Sequence, residues 1–249
     1  MAFQTVFKRY EIKYMLTLEQ KEKILAAMKD YMSLDKYGRS SIRNIYFDTD
    51  NYRLIRRSIE KPIYKEKLRI RSYGEATEDS RVFVELKKKY DGVVYKRRIA
   101  LPYNSSLEWT SGNAPCPFDT QISREIDYFL GYYGALRPAA FLSYEREAYY
   151  ENSGGSFRVT FDDNILFRTD NLSLVSENYG HSLLDDGKVL MELKCSGGIP
   201  LWLVKTLSQE KIYKTSFSKY GTGYTRFILP DIMKNDTPRI EEKHYASLT

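Results

Sequence analysis

Basic side chains stand at every second position in several segments of the sequence, most fully in KEKLRIRSYG at residues 65–74. Alternate residues of this segment form a cationic set, Lys65, Lys67, Arg69 and Arg71, and a second set, Glu66, Leu68 and Ile70. Alternate side chains of a β-strand lie on opposite faces of the sheet. The segment therefore predicts a strand with a cationic face that is backed, near its middle, by an apolar one.

Six further segments show the same alternation. Their charged faces carry Arg9, Glu11 and Lys13; Arg81, Glu85 and Lys87; Lys96 and Arg98; Tyr144 and Arg146; Arg158, Thr160 and Asp162; and Glu192 and Lys194. One interpretation is a set of half-exposed strands with salt bridges across the sheet. The other is a shared interior that binds an anion, because an unpaired buried charge is strongly destabilising. Phosphate fits such an interior, since arginine binds it bidentately and lysine supplies a point charge.

Three glutamates among these cations, Glu192, Glu11 and Glu85, predict a divalent cation as well. A carboxylate that faces bound phosphate is repelled unless a metal ion lies between them. Mg²⁺ or Mn²⁺ can be held by one or two carboxylates together with phosphate oxygens. The alternative, strongest for Glu85, is that these carboxylates pair with neighbouring lysine or arginine side chains.

The elements that position these residues follow from local patterns. Residues 6–16 alternate as a strand, and Thr17 with Gln20 forms a capping box that opens a helix. The Asp91-Gly92 pair predicts the turn of a hairpin over residues 81–101. Further strands are predicted at 41–47, 138–150, 156–168 and 185–195, and helices at 120–134 and 200–210.

This order of elements predicts an α+β fold dominated by antiparallel strands, with short helices at its flanks. Strands this numerous, each with one charged face, predict a closed β-barrel, because closure removes exposed edges. Residues 102–119 are rich in Pro, Ser, Asn and Gly, which is typical of a loop. Residues 1–230 are predicted to form one domain, followed by a polar tail over 231–249 that is loosely held.

Composition favours an anionic partner and disfavours two classes of protein. The net charge is +6 and the isoelectric point is about 9.0. Cys116 and Cys195 match no metal or disulfide pattern, and neither His181 nor His244 has the neighbours of a catalytic triad. No apolar run approaches the ~20 residues of a membrane span, and the first residues lack a secretory signal. We therefore expect a soluble, cytoplasmic protein that does not use histidine-based catalysis.

Eight short motifs, taken in order, resemble the VTC domain, the catalytic domain of a polyphosphate polymerase in the CYTH or triphosphate tunnel metalloenzyme superfamily. They are RYEIKY (9–14), IYFDT (45–49), KLRIRSY (67–73), VELKKK (84–89), SYERE (143–147), FRVTFD (157–162), MELK (191–194) and FSKY (217–220). The resemblance runs from about residue 5 to about residue 225 and implies an eight-stranded antiparallel tunnel barrel. In that family a phosphoryl group moves from a nucleoside triphosphate such as ATP to polyphosphate, with Mn²⁺ or Mg²⁺.

The resemblance also implies roles for individual residues. The phosphate ligands would be Lys13, Arg69, Arg71, Lys87, Tyr144, Arg146, Arg158, Lys194 and Lys219, with Ser218, Lys96 and Arg98 as further contacts. Glu192 would hold the metal. The wider superfamily begins with Glu-x-Glu-x-Lys, whereas this chain has Arg9-x-Glu11-x-Lys13, one carboxylate fewer. That departure agrees with the VTC branch and weakens a simple hydrolase reading.

Three other functions use the same residues. Hydrolysis of tripolyphosphate or of a nucleoside triphosphate differs only in its product, and a non-catalytic polyphosphate-binding module differs only in having no turnover. A nucleic-acid-binding module is the third, because tyrosines can stack on single strands. It is disfavoured, since the cations here alternate with apolar residues and stand beside carboxylates.

Overall fold

A single antiparallel sheet dominates the computed structural model, which describes residues 10–236. Its strands are β1 Tyr10–Thr17, β2 Met32–Asp48, β3 Tyr64–Tyr73, β4 Arg81–Tyr90, β5 Val93–Pro102, β6 Arg137–Glu151, β7 Arg158–Arg168, β8 His181–Ser182, β9 Lys188–Cys195 and β10 Lys214–Thr215. Eight of the ten strands have at least eight residues, and β8 and β10 have two each. The predicted α+β class with an antiparallel sheet is confirmed.

The strands are hydrogen-bonded in the order β10-β1-β9-β7-β6-β2-β3-β4-β5, and β8 pairs with β7. Within residues 10–236 the order ends at β10 on one side and at β5 on the other, so closure of the sheet stays a prediction. Side chains nevertheless connect strands near the two ends of this order. Lys87 on β4 donates a hydrogen bond of 3.2 Å to Glu11 on β1. The sheet is therefore curved enough to bring distant strands around one space.

The helices are α1 Leu18–Met28, α2 Arg53–Ile59, α3 Tyr103–Thr110, α4 Gln121–Tyr133, α5 Leu201–Gln209, α6 Lys219–Gly223 and α7 Leu229–Asp236, with a π-helical turn at Tyr224–Ile228 joining the last two. The predicted capping box of α1 is present: Gln20 N–H donates to Thr17 Oγ1 at 3.1 Å, and Thr17 N–H donates to Gln20 Oε1 at 3.0 Å. The predicted hairpin turn is also present, since Asp91 and Gly92 have φ of 43° and 79°, as a tight two-residue turn requires.

Helices cover the apolar face of the sheet and leave the cationic face inside. Leu68 and Val84 pack with Trp109 of α3 and Phe129 of α4 in one buried cluster. Met191 packs with residues of α1 and α5 in a second. Because successive side chains of a strand alternate, burial of the apolar set beneath the helices directs Arg69, Glu85 and Glu192 toward the other face.

Three regions differ from the sequence-based prediction. The predicted loop 102–119 is wrong in its first part, where α3 forms because Tyr103 and Trp109 are buried against the sheet, and tertiary packing overrides weak local propensity. The predicted tail begins inside α7, and residues 237–249 lie outside the described part, as does Arg9. Helix α2 was not predicted; Asp48 accepts hydrogen bonds from the N–H groups of Leu54 and Ile55 at its start.

Candidate functional site

The charged faces of seven strands and the start of α6 meet in two clusters of side chains. The Glu192 cluster comprises Glu11, Lys13, Arg146, Asp162, Glu192 and Lys219. The Glu85 cluster comprises Arg69, Arg71, Glu85, Lys96 and Arg98. Strand register alone brings most of them together, because Lys13 lies opposite Glu192, Arg146 opposite Asp162, and Arg69 opposite Glu85.

Four members of the Glu192 cluster are buried, Glu11 and Lys13 are partly exposed, and the charges alternate. Glu192 lies 3.0 Å from Lys219 Nζ, 3.3 Å from Lys13 Nζ and 3.4 Å from Arg146 Nη2. Asp162, fully buried, accepts two hydrogen bonds from Arg146 at 2.5 and 2.6 Å and one from Lys219 at 2.5 Å. Three cations thus surround two buried carboxylates, and Glu11 lies 3.3 Å from Lys13 on the other side.

Burial and charge oppose each other in this cluster, and charge dominates. Burial alone raises the pKa of the Glu192 carboxyl, but Lys219, Lys13 and Arg146 hold that pKa well below its usual range. Burial likewise favours the neutral form of Lys219, yet Asp162 and Glu192 raise its pKa. All members of the cluster therefore stay ionised near neutral pH.

In the Glu85 cluster one carboxylate orients several cations. Arg69 donates two hydrogen bonds to Glu85 Oε2, at 2.9 and 2.7 Å, and a third to the Tyr46 hydroxyl at 2.9 Å. Lys96 Nζ lies 2.5 Å from the other oxygen of Glu85. Burial raises the pKa of Glu85, but Arg69, Arg71 and Lys96 outweigh it and lower that pKa. Cations lie close to both oxygens of the carboxylate, which favours the alternative of ion pairing over the metal-binding role predicted for Glu85.

Tyr144 and Lys87 join the two clusters into one site. The Tyr144 hydroxyl accepts a hydrogen bond of 3.0 Å from Arg71, and Lys219 Nζ lies 4.5 Å from the centre of the same ring. Arg71 is further fixed by Asn44, whose side-chain oxygen accepts from Nε at 2.9 Å. Residues from β2, β3, β6 and α6 therefore form one polar network around the inner face of the sheet.

Three donors facing this space lack an acceptor. Arg158 Nε and Thr160 Oγ1 are buried without a hydrogen-bond partner among residues 10–236. Lys194, opposite Arg158 in the register, makes no ion pair or hydrogen bond with that part of the chain. Burial, followed by the charge of Arg146, lowers the pKa of Lys194 to about 7. Buried donors without partners are rare in native structures, so these residues are candidates to contact an anion.

Helix α6 contributes the last two predicted residues. Ser218 caps the helix, and its hydroxyl accepts hydrogen bonds from Gly221 N–H at 3.2 Å and from Lys67 Nζ at 3.1 Å. Lys219, next in the chain, enters the Glu192 cluster. The Tyr220 ring stacks on Tyr46 at 4.8 Å between centroids, which holds the start of the helix against the sheet.

The donor set suits a divalent cation that is shared with a substrate. Glu11 and Glu192 flank Lys13 Nζ at 3.3 Å each, so one positive centre already lies between the two carboxylates. Within residues 10–236, no group of three or more His, Cys, Asp and Glu side chains is arranged to hold a metal ion by itself. Two carboxylates completed by phosphate oxygens are a set that Mg²⁺ accepts.

The structure brings most of the predicted residues into the site. The predicted residues that contact other members include Lys13, Arg69, Arg71, Lys87, Tyr144, Arg146, Lys219, Glu11, Glu85 and Glu192. Ser218 contacts Lys67 instead. Arg98 lies at the margin: it is about half exposed, 3.9 Å from Glu85 and stacked on Phe83. His181 stacks on Phe227 and contacts none of these residues.

Sequence reasoning missed Asp162, Asn44 and Tyr46 as site residues. A signal existed for Asp162, because it shares its strand face with Arg158 and Thr160. Asn44 and Tyr46 stand in IRNIYFD, where alternation of polar and apolar residues is weak. Their positions follow only from pairing of β2 with β3, which sets Asn44 opposite Arg71 and Tyr46 opposite Arg69.

Known proteins resemble this chain in sequence family and in fold. The VTC domain family model matches residues 8–228. A candidate adenylate cyclase of Bacillus halodurans has a TM-score of 0.52 at 14% identity, over 88% of this chain and 98% of that one. A candidate adenylyl cyclase of Hippeastrum, whose structure is described as revealing a dominant triphosphatase activity, has a TM-score of 0.52 at 15% identity, over 87% and 95%. Likeness at this identity shows the fold alone, and no curated protein matches the sequence.

Proposed function

Because the chain belongs to the VTC domain family, we propose that it is a metal-dependent phosphotransferase. It moves a phosphoryl group from a nucleoside triphosphate to inorganic polyphosphate inside the space lined by the Glu192 and Glu85 clusters. The observation that carries the proposal is the row of Glu11, Lys194 and Arg158, which lie opposite one another on β1, β9 and β7. The buried Nε of Arg158 lacks a hydrogen-bond acceptor within residues 10–236. A phosphate oxygen would supply that acceptor.

Phosphoryl transfer asks a protein mainly for positioning and for stabilisation of charge. Arg69, Arg71 and Arg146 are held by fixed partners, so their guanidinium groups are oriented before substrate arrives. Lys13, Lys87, Lys194 and Lys219 add point charges around the same space, with Lys96, Tyr144 and Ser218 as polar contacts. No side-chain nucleophile is needed, because a terminal oxygen of the polymer attacks the γ-phosphorus. The bond from that phosphorus to the bridging oxygen breaks, and the nucleoside diphosphate leaves.

Glu192 and Glu11 are the residues that would hold Mn²⁺ or Mg²⁺. A bound divalent cation neutralises charge on the transferring phosphoryl group. Lys13 lies between the two carboxylates and would shift toward phosphate as the cation enters. In this arrangement, against the opposing effect of burial, Lys219 and Lys13 lower the pKa of Glu192, and Lys87 and Lys13 lower that of Glu11. Both carboxylates are therefore ionised, and able to bind metal, without substrate.

Hydrolysis of tripolyphosphate or of a nucleoside triphosphate is the second candidate. It is favoured by the fold shared with the Hippeastrum protein, whose description names a triphosphatase activity. Water would then occupy the position of the attacking polymer oxygen, and every protein contact would stay the same. Only the product separates the two functions.

The experiment that tests the proposal incubates purified protein with ATP and Mn²⁺ or Mg²⁺, with and without a short polyphosphate primer. Acid-labile polymer and orthophosphate are measured together. Growth of polymer supports the transferase, whereas orthophosphate release without polymer overturns it in favour of the hydrolase. Absence of both products overturns catalysis and leaves a binding module.

Variants Glu192→Gln and Arg71→Ala locate the activity. Each should lower turnover by at least about 100-fold, because removal of one preorganised charge contact costs about 3 kcal/mol in the transition state. Matched controls remove the same groups from the opposite face of the sheet. Glu147→Gln breaks a pair with Lys21, and Arg97→Ala breaks a pair with Glu125; both should keep activity within about two-fold.

A further inference from the structure

Five lysines stand in two adjacent rows at one end of the charged face of β3, β4 and β5. Lys67, Lys87 and Lys96 lie opposite one another across the three strands. In the next row Lys65 lies opposite Lys89. Directly opposite side chains have Cβ atoms about 5 Å apart, and like charges at that distance destabilise a sheet.

In the described part of the chain, three of these five lysines lack a carboxylate partner. Lys96 contacts Glu85 and Lys87 contacts Glu11. Among residues 10–236, however, Lys65, Lys67 and Lys89 form no ion pair. Lys65 donates to the backbone oxygen of Ser58 at 3.3 Å, and Lys67 donates to Ser218 at 3.1 Å. Arg69, only two residues further along β3, is by contrast fixed by Glu85.

Mutual repulsion contributes to the lowered pKa values of two of the lysines. Burial, then the charges of Lys87 and Lys65, lower the pKa of Lys67 to about 7. Burial, then the charges of Lys89 and Lys87, lower the pKa of Lys65. The sheet therefore concentrates positive charge here with too little protein charge to offset it.

The length of the charged face of β3 decides which anion that face can bind. From Lys65 to Arg71, β3 advances by six residues, about 20 Å at 3.3 Å per residue. That length exceeds a triphosphate, which the Glu85 and Glu192 clusters can accommodate by themselves. A linear polyphosphate of more than three residues is the anion that would reach both the clusters and the outer lysines.

We propose that Lys65, Lys67 and Lys89 form a separate subsite for the distal phosphate residues of a polyphosphate chain, and that this subsite selects long chains over triphosphates. The identity of the anion rests on the proposed function, but the subsite does not depend on catalysis. It holds the chain beyond the reacting end, so it sets affinity for chain length and not the rate of phosphoryl transfer.

Equilibrium binding without nucleotide and with a metal chelator tests the subsite at fixed ionic strength. The probes are tripolyphosphate and a linear polyphosphate of about 15 residues. Wild-type protein should bind the longer chain more tightly. Lys89→Gln and Lys65→Gln should each weaken binding of the longer chain about 3- to 10-fold, as expected for loss of one charged contact. Their affinity for tripolyphosphate should change less than about two-fold.

Lys88→Gln is the matched control, since Lys88 is the neighbour of Lys89 on the opposite face of β4 and lies 3.8 Å from Glu66. It should leave both affinities unchanged. Three results would each overturn the subsite. Lys89→Gln could lose affinity equally for both ligands, or Lys88→Gln could weaken binding as much as Lys89→Gln does. The wild-type protein could also bind the two chain lengths with equal affinity. If the variants lose affinity only for the longer chain but the protein makes no polymer, the subsite is supported and only the polymerase function is overturned.

Discussion

Asp162 on β7 lies directly opposite Arg146 on β6 and accepts two hydrogen bonds from its guanidinium, at 2.5 and 2.6 Å. Lys219, from α6, donates to the second oxygen of Asp162 at 2.5 Å. One fully buried carboxylate therefore fixes two cations that come from distant parts of the chain. Both cations are candidate phosphate ligands, so Asp162 is a positioning residue for the site.

Replacing Asp162 by Asn should weaken both folding and substrate binding. Breaking a buried ion pair by removing one partner costs about 3–5 kcal/mol, because the remaining charge is buried without compensation. Urea unfolding should show that loss in the free energy of unfolding. The KM for triphosphate substrate should rise, because Arg146 and Lys219 lose their fixed positions.

Asp163→Asn is the control, since this adjacent residue pairs with Arg39, which is about half exposed. It should cost less than about 1 kcal/mol. An Asp162→Asn variant as resistant to urea as wild type would contradict the positioning role. Saturating phosphate should recover part of the lost stability in Asp162→Asn, because a bound anion offsets the same cations.

Glu85 and Glu192 should respond differently to the same substitution. Glu85 is occupied by Arg69 and Lys96, so Glu85→Gln should raise KM and leave the metal concentration for half-maximal activity unchanged. Glu192 shares Lys13 with a second carboxylate, Glu11, so Glu192→Gln should raise that metal concentration at least about ten-fold. Titration of Mn²⁺ at saturating ATP distinguishes them, and equal metal dependence would contradict the assignment.

The strands and their faces could be predicted because both depend on alternation, which is local. Leu68 and Ile70 identify the buried face of β3, and the other face then follows. Helix α2 could not be predicted, since its start depends on Asp48 and on a left-handed residue, Tyr52 at φ 57°. The amino-acid pattern there contains no periodic apolar stripe of the usual length.

The candidate site could be predicted as a set of cations but not as a network. The alternation of charged and apolar residues predicts that Arg146 and Arg71 lie on inner faces. It does not indicate which carboxylate or hydroxyl contacts each arginine. Those partners depend on strand order, in which β6 lies between β7, the next strand in the chain, and β2, which is distant in sequence. Asp162 and Asn44 therefore emerge only from the three-dimensional pairing.

Substrate binding above pH 7 should be coupled to proton uptake. Burial and nearby Arg146 lower the pKa of Lys194 to about 7, from 10.5 for an unperturbed lysine, so the free protein is largely neutral at this position at pH 8. A phosphate beside Lys194 favours its charged form and raises that pKa. Binding of tripolyphosphate at pH 8 should therefore take up as much as about one proton at Lys194, and affinity should fall as pH rises above about 7.

The stability of the ligand-free protein should also depend on the protonation of Lys194. Stability should rise with pH, whereas affinity for the anion falls. Since the folded pKa lies below the unfolded one, the unfolded chain binds more protons between about pH 7 and 10.5. The contribution of Lys194 to the free energy of unfolding therefore increases as pH rises through that window. Below about pH 7 both states are protonated, and the destabilisation by the buried charge is complete.

Titration calorimetry of tripolyphosphate in two buffers of different ionisation enthalpy measures the uptake at pH 6 and pH 8. Lys194→Met should take up fewer protons than wild type at pH 8 and the same number at pH 6. Lys205→Met, which changes an exposed lysine of α5, should match wild type at both. Equal uptake by Lys194→Met and wild type at pH 8 would contradict contact between Lys194 and phosphate, because a lysine far from the anion has no reason to change its protonation.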